Sequence, residues 1–366
     1  MQAPNEQVMV LAQDFTNKDR LLEGEDMIFT GCGALNLDLI YEVEDIDSVR
    51  KAGFHLEPGR ECVMDHQGAK DLLMLLEREA KLLAKSGGGS AANTLCALSR
   101  MGHRCFFIGT VGEDDKGEFL LDSMKEVDCS LVNRRGKSSL CIVIIDKESK
   151  DRALAVVPGS LAIDPDAPKM RTILGNSRLF HLSSLAQEEG PDLQGQLTAL
   201  CPSSCIVSFD PGEVYAAKGY ETIRDILLRT WLLLASDVEF EQIFGKKSIM
   251  EVITKGLFGR KIQEIKEIPF DFFKKMPPPI LAKKSGARGA LLASKTSVYS
   301  CPAREVEKIV DNTGAGDAFN AGLIHGIFSN KGPKEALEDA VSVAAFSLMF
   351  PGRKWIDHLD DVIIHH

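Results

Sequence analysis

The segment Asp311-Asn312-Thr313-Gly314-Ala315-Gly316-Asp317-Ala318-Phe319 runs into a stretch, 318–328, that is almost entirely small or apolar. That composition predicts a buried helix opening on glycines. Glycines at such a mouth let the backbone approach a ligand closely. The free N–H groups of Gly314, Ala315 and Gly316 can form an anion-binding nest backed by the helix dipole. Asp317 falls in the first turn, beside the nest. A carboxylate there can accept the proton of an attacking hydroxyl while the N–H groups hold charge developing on a transferred phosphoryl group. It can equally do no more than complement the helix dipole. The residues alone leave both roles open.

A second glycine stretch, Ser86-Gly87-Gly88-Gly89-Ser90-Ala91-Ala92-Asn93-Thr94-Leu95, also leads into a helix, with Ala91, Leu95 and Leu98 on its core face. It reads either as a tight turn with close helix packing or as bare backbone and Asn93 facing a polyol. Neither stretch fits the P-loop pattern, since no GxxxxGK[ST] occurs, and neither is a dinucleotide fingerprint after a strand.

Outward from these stretches the chain alternates short apolar runs with helical patterns. Strands are expected at Arg104–Thr110, Leu140–Asp146, Ala153–Val157, Leu179–Ser183, Ile206–Asp210, Leu232–Ala235 and Ala290–Ala293, after a first strand in the run from Met27. Helices are expected at Ala69–Lys85, Glu118–Glu126, Tyr220–Leu228 and Glu239–Gly245. This alternation predicts an α/β fold with a mostly parallel sheet covered by helices. Two extended runs within Val132–Val157 look like a hairpin, a small β appendage. Residues 1–26 read as an added N-terminal arm, and 27–366 as one domain.

A formal net charge of −10 in 366 residues argues against a nucleic-acid or membrane-surface binder, which needs a basic face. The start carries no secretory signal pattern, and no apolar run reaches the length of a membrane span. Nine scattered cysteines, without zinc-site spacing, read as reduced thiols of a cytoplasmic protein. His365-His366 fit either a native end or the start of a tag.

Together and in this order, the two glycine stretches resemble the signature pair of the ribokinase-like (pfkB) family of carbohydrate and nucleoside kinases. Gly109-Thr110-Val111-Gly112, Phe209-Asp210-Pro211 and Gly286-Ala287-Arg288-Gly289 look like intermediate landmarks, so the resemblance runs from about Met27 to Trp355. It implies a doubly wound, mostly parallel sheet flanked by helices, with a small β-sheet lid from about 40–60 and 132–157. It implies Asp317 as general base and Gly314, Ala315 and Gly316 as anion hole. Asn36, Asp38, Gly88, Gly89 and Asn93 would hold the acceptor, Asp38 gripping two hydroxyls. Gly286, Gly289 and Thr313 would meet the nucleotide. The family's N-x-x-E motif reads Ser236-Asp237-Val238-Glu239 here, leaving Glu239 for magnesium. The carbonyls of Asp311 and Thr313 fall where relatives often bind a monovalent cation such as potassium, and Gly352 lies beside that loop.

ATP is the implied co-substrate, with Mg2+ and K+ as the implied ions. The implied assembly is a monomer, or a homodimer joined through the lid. The helical segment before the glycines resembles the adenosine kinase branch and favours a ribonucleoside acceptor, with a sugar or sugar phosphate as the alternative. Phe54, Leu140, Ile142 and Phe180 stand as candidates for a purine clamp. Arg134, Arg135 and Lys137 stand as candidates for a phosphate-bearing acceptor. An intact Asp317 beside an unbroken nest speaks against a non-catalytic ligand-binding relative.

Overall fold

The computed structural model describes residues 27–149, 151–259 and 270–360; the arm 1–26 and His365-His366 lie outside them. Fourteen strands form two sheets among the described residues. The first strand, β1 (Ile28–Cys32), is followed by β2 (Asn36–Val43), β3 (Glu61–Val63), β4 (Lys81–Gly88), β5 (Arg104–Val111) and β6 (Asp128–Arg134). Next come β7 (Ser139–Asp146), β8 (Arg152–Val157), β9 (Ser177–Ser183) and β10 (Ile206–Asp210). The last four are β11 (Leu232–Ser236), β12 (Ile280–Lys284), β13 (Ala290–Ala293) and β14 (Val298–Cys301).

The large sheet has the order β14-β13-β12-β11-β10-β9-β1-β5-β6. It is parallel from β12 through β6 and antiparallel only at β12–β13 and β13–β14. Its central strands are apolar on both faces, as a sheet sandwiched between helices requires. In β9 the alternation is visible: Leu179 packs with one core, and Phe180 and Leu182 with the other. The first core takes helices Ser90–Arg100, Ala315–Phe328 and Pro333–Ser347, and the second takes Gly190–Leu200, Tyr220–Leu227 and Asp237–Phe244.

The small sheet has the order β3-β8-β7-β2-β4. Its two faces differ. Leu37, Tyr41, Leu140, Ile142 and Ile144 join the core formed with Ile46, Val49, Leu72 and Leu76 of two overlying helices. Burying each such leucine contributes about 1.5–3 kcal/mol, enough to hold these helices on the sheet. The opposite face, with Asp38, Ile40, Cys141 and Val143, turns toward the glycine stretches.

Three expectations need correction. The helix expected at Ala69–Lys85 is His66–Glu79, ending at Ala80 in extended backbone; Lys81–Gly88 is then strand β4, paired antiparallel with β2. No glycine or proline marks that break. Partnership with β2 overrides the local helical composition. Second, Val132 to Arg134 belong to β6 in the large sheet, and only β7 and β8 form the hairpin. Third, the small sheet also contains β4, beyond the two segments expected for it. The charged stretch after Tyr41 resolves into the end of β2 and helix Ile46–Lys51, which buries Ile46 and Val49 while its charges face solvent. Strand β12 is a further element that the sequence reading did not mark.

Candidate active site

Gly314 takes φ +80°, a left-handed conformation that a side chain would resist, and starts the helix Ala315–Phe328. The first N–H groups of a helix have no intrahelical partner one turn back and are available as donors; of these, Ala315 N makes a long bond to Asn312 O, at 3.4 Å. Asp311 fixes the approach to this mouth: one carboxylate oxygen accepts from Thr313 N and the other from Gly352 N, both at 2.8 Å. The Thr313 hydroxyl is buried without a partner.

Asp317 stands in the first turn as the sequence predicts. Asn93 Nδ2 donates to its Oδ2 at 2.8 Å, joining the two glycine stretches across 224 residues. Burial pushes the Asp317 carboxyl up to about 6, against the opposing pull of the Asn93 hydrogen bond. At neutral pH the group is therefore ionised yet basic enough to take a proton, the range a general base needs.

Asp38 faces Asp317 from the small sheet. It lies in mid-strand, in register with Ser86 of β4 and Cys141 of β7. A Cβ on Gly88 would collide with the Asp38 carboxylate, so glycine is what lets that carboxylate lie along the strand. Burial pushes Asp38 up to about 8; Arg353 pulls it down, and Asp317, Glu61 and Asp311 add repulsion. Asn36 Oδ1 and Asp38 Oδ1 are buried with no hydrogen-bond partner. Buried acceptors left open in this way cost stability unless a ligand supplies donors.

Beneath the helix mouth lies a network the sequence reading did not assemble. Lys284 Nζ, at the end of β12, donates to Asp210 Oδ2 at 2.7 Å, and Asn320 donates to the same oxygen at 2.6 Å. Burial disfavours the Lys284 charge, but Asp210 and Glu239 outweigh it and hold the ammonium above its usual range. A Cβ on Gly316 would sit 3.5 Å from Lys284 Nζ, so the cation lies against the helix mouth. The signal was thin: one lysine among several, in a strand not marked as one.

Glu239 caps its own helix. Its Oε2 accepts from Ser236 N at 2.7 Å, and Ser236 Oγ accepts from Glu239 N at 3.2 Å. Serine in place of asparagine thus completes a capping box. Asp237 is engaged by Lys283 (2.7 Å) and Arg288 (2.6 Å). No group of three or more His, Cys, Asp or Glu side chains poised to hold a metal occurs among the described residues. Gly286 and Gly289 form the turn from β12 to β13, where Ser285 N donates to Gly289 O at 2.9 Å.

Two further cations reach the cleft. Arg152 of β8 donates to Asn312, bridging the small sheet to the Asp311–Asp317 loop. Arg353 Nη1 lies 3.5 Å from Asn93 Oδ1. Neither was singled out from sequence, since both lie outside the glycine motifs. The residues expected as a purine clamp are elsewhere: Phe180 is fully buried under the large sheet, Leu140 and Ile142 point to the outer face of the small sheet, and Phe54 packs on that same outer core. Arg134 pairs with Glu118 at 3.3 Å on the surface, and Lys137 lines a cavity on the outer side with Lys70 and Leu140.

The profile described as pfkB family carbohydrate kinase matches residues 61–352. The chain belongs to the pfkB family of carbohydrate kinases. Among curated relatives, an uncharacterized sugar kinase of Archaeoglobus fulgidus is 29% identical over 65% of this chain and 88% of its own length. An ATP-dependent ribose-1-phosphate kinase of Halopiger xanaduensis is 28% identical over 72% and 80%. The crystal structure of adenosine kinase from Sinorhizobium meliloti superimposes with a TM-score of 0.71 at 15% identity, covering 93% of this chain and all of that one. This pfkB chain therefore has the ribokinase-like α/β fold. It is a phosphotransferase acting on an alcohol group, with ATP as co-substrate and a sugar or nucleoside as acceptor.

Proposed function

We propose that Asp317 removes the proton from a hydroxymethyl hydroxyl of a sugar while Gly314, Ala315 and Gly316 hold the γ-phosphoryl group passing from ATP. The observation that carries this reading is Asn36 and Asp38, two buried acceptors with open oxygens facing a base joined to Asn93. A vicinal diol supplies the two donors these oxygens lack, and its hydroxymethyl arm then reaches toward Asp317. Gly88, Gly89 and Asn93 complete the acceptor wall. The small sheet acts as a lid that excludes water, so that ATP is not wasted on hydrolysis.

A sugar is favoured over an adenosine-like nucleoside because every expected clamp residue is committed to a core. The sugar-kinase names among the sequence relatives favour the same acceptor class.

Lys284 and Arg152 flank the place of transfer and neutralise the phosphoryl oxygens. Gly286, Gly289 and Thr313 would line the nucleotide. Magnesium would arrive with the ATP phosphates, ordered through its waters by Glu239, which suits a site without a dedicated carboxylate cage. The Asp311 and Thr313 carbonyls would hold a potassium ion in the loop that Gly352 braces. Helices cover the lid's outer face, which favours a monomer over pairing of lids. Nine free cysteines and the ATP requirement favour a cytoplasmic setting.

The test is ADP release from Mg-ATP against ribose, fructose, ribose 1-phosphate, fructose 6-phosphate, adenosine and cytidine. Turnover confined to sugars supports the reading, and preferential turnover of adenosine would overturn the acceptor assignment.

A further inference from the structure

Four strands of the small sheet are tied to the large domain by the chain itself. Strand β2 follows β1, β4 runs into the helix Ser90–Arg100, β7 follows β6, and β8 leads through Pro168–Gly175 to β9. Strand β3 has no such tie. It lies between Ile46–Lys51 and His66–Glu79, the two helices on the outer face, and forms the edge of the sheet. It is three residues long and, among the described residues, pairs with β8 alone. An edge so lightly built opens first unless something outside the sheet holds it.

Glu213 of the large domain holds it. This residue stands in the helix Gly212–Ala216, directly after Asp210-Pro211. Its Oε2 accepts from Glu61 N at 2.8 Å, and its Oε1 pairs with the Arg60 guanidinium. Both bonds are charge-assisted, and the Glu213 side chain is only 14% exposed, so water and salt screen its end of them little. Its mount is firm. Gly212 N donates to Asp210 Oδ1 at 3.3 Å, and Asp210 is held by Lys284 and Asn320.

The hold carries inward. Gly59 N donates to Arg152 O at 2.6 Å and Leu154 N to Arg60 O at 3.0 Å, so the residues Glu213 grips clasp the start of β8. From there Arg152 reaches Asn312, in the loop that leads to Asp317. Seating the edge also disfavours one charge. Glu61 is in register with Leu154, which packs on the cleft face, so its carboxyl faces the cleft as well. Burial pushes that carboxyl up to about 7, with added repulsion from Glu213 beside it, Glu239 of Asp237–Phe244 and Asp210 of β10; Arg152 of β8 opposes them.

We propose that Glu213 is a positioning residue whose grip on Arg60 and Glu61 N seats the free edge of the lid, keeping Arg152 on the catalytic loop and water out of the transfer site. The grip is linked to a proton. Glu61 keeps one while the edge is seated and releases it when the edge opens into water. The seated value lies above the ordinary 4.5, so the stabilisation tied to this proton is complete below about pH 4.5 and is lost as pH rises through about 7. The seating stands independently of the kinase reading; only its consequence for ATP rests on that reading.

The test is hydrogen exchange by mass spectrometry on the full chain, comparing wild type with Glu213→Ala, Glu213→Gln and Glu61→Gln. The peptides to follow span 59–64 and 152–157. The amides of Gly59, Met64 and Leu154 bond across the β3–β8 pair and not to Glu213, so their protection reports the edge and not the deleted partner. In Glu213→Ala they should exchange about tenfold faster or more, with the peptides of β1, β9 and β10 unchanged. Glu213→Gln keeps an oxygen for Glu61 N without the ion pair and should fall between; it carries the same reading if the alanine variant fails to fold. Glu61→Gln keeps the backbone donor and removes the repulsion. It should slow exchange of 152–157 at pH 8 by up to about tenfold and leave it unchanged at pH 5. In turnover assays Glu213→Ala should raise acceptor-independent ADP release relative to transfer about tenfold, a ratio that a general loss of stability would not move. Wild-type exchange in both Glu213 variants overturns the grip, and equal exchange of wild type and Glu61→Gln at pH 8 overturns the proton link. Faster exchange with an unchanged ratio overturns the positioning role. Absence of transfer to every acceptor would count against the kinase reading, while exchange still decides the grip.

Discussion

On one wall of the cleft the carboxylates of the loop from Asp311 to Asp317 are held by internal hydrogen bonds: both Asp311 oxygens are taken, and Asp317 accepts from Asn93. On the facing wall, β2 presents Asn36 and Asp38 with oxygens that no group in the chain satisfies. The first wall is rigid before any ligand arrives, as groups that stabilise developing charge must be. On the proposed reading the second is completed when an acceptor supplies its donors, so its polarity serves recognition. The difference explains why burial pushes the two aspartates unequally, Asp317 to about 6 and Asp38 to about 8.

Lys284→Ala should damage the first wall most. It strands Asp210 as a buried charge without its cation, and the loss should be about 3–5 kcal/mol in denaturant unfolding. A loss below about 1 kcal/mol would mean that Asn320 alone satisfies Asp210. On the open wall Asp38→Asn should raise the acceptor KM about 10–100-fold, the cost of a buried hydrogen-bonding group left mismatched to the acceptor. Its kcat should change less, which steady-state kinetics will separate.

Asp38→Asn should also change stability in the opposite sense. The folded-state value of about 8 lies above the 3.8 of an unperturbed aspartate, so folding retains a proton that the unfolded chain releases. The stability tied to that proton is complete below about pH 4 and is lost as pH rises through about 8. Without acceptor, the wild type should lose stability across this window, and Asp38→Asn should flatten the decline by roughly 1–3 kcal/mol at pH 8. Parallel melting profiles for both proteins would show that Asp38 does not carry the burial cost assigned to it. The smallest effect belongs to Thr313→Val, which removes a hydroxyl already lacking a partner. Without nucleotide its stability should stay within about 0.5 kcal/mol of wild type. A KM for ATP raised severalfold would place that hydroxyl on the nucleotide.

Much of the large sheet was legible because its strands are short, apolar and parallel, and the glycine segments punctuate it clearly. The place of Asp317 in a first helical turn was legible because the glycine segment runs straight into a long apolar stretch. Strand β4 was not, since Lys81–Gly88 carries no β-branched residue and follows a helix without a breaker. Its state is set by pairing with β2, a contact that no local pattern announces. The cations were hidden for a related reason. Lys284, Arg152 and Arg353 occur in unremarkable contexts, and only the fold brings them beside Asp210, Asn312 and Asn93. The purine-clamp candidates failed because hydrophobicity marks burial without saying on which face.

The most direct test is single-turnover phosphoryl transfer to the best sugar acceptor by the wild type and Asp317→Asn, at saturating Mg-ATP across pH 5 to 8. The wild-type rate should rise with pH, reach half its maximum near 6 and level off beyond that. Asp317→Asn should be slower by roughly 10²–10⁴-fold, with ATP binding intact and no acid limb. A variant that keeps wild-type turnover, or an acid limb that survives the substitution, would contradict the assignment of Asp317 as the base.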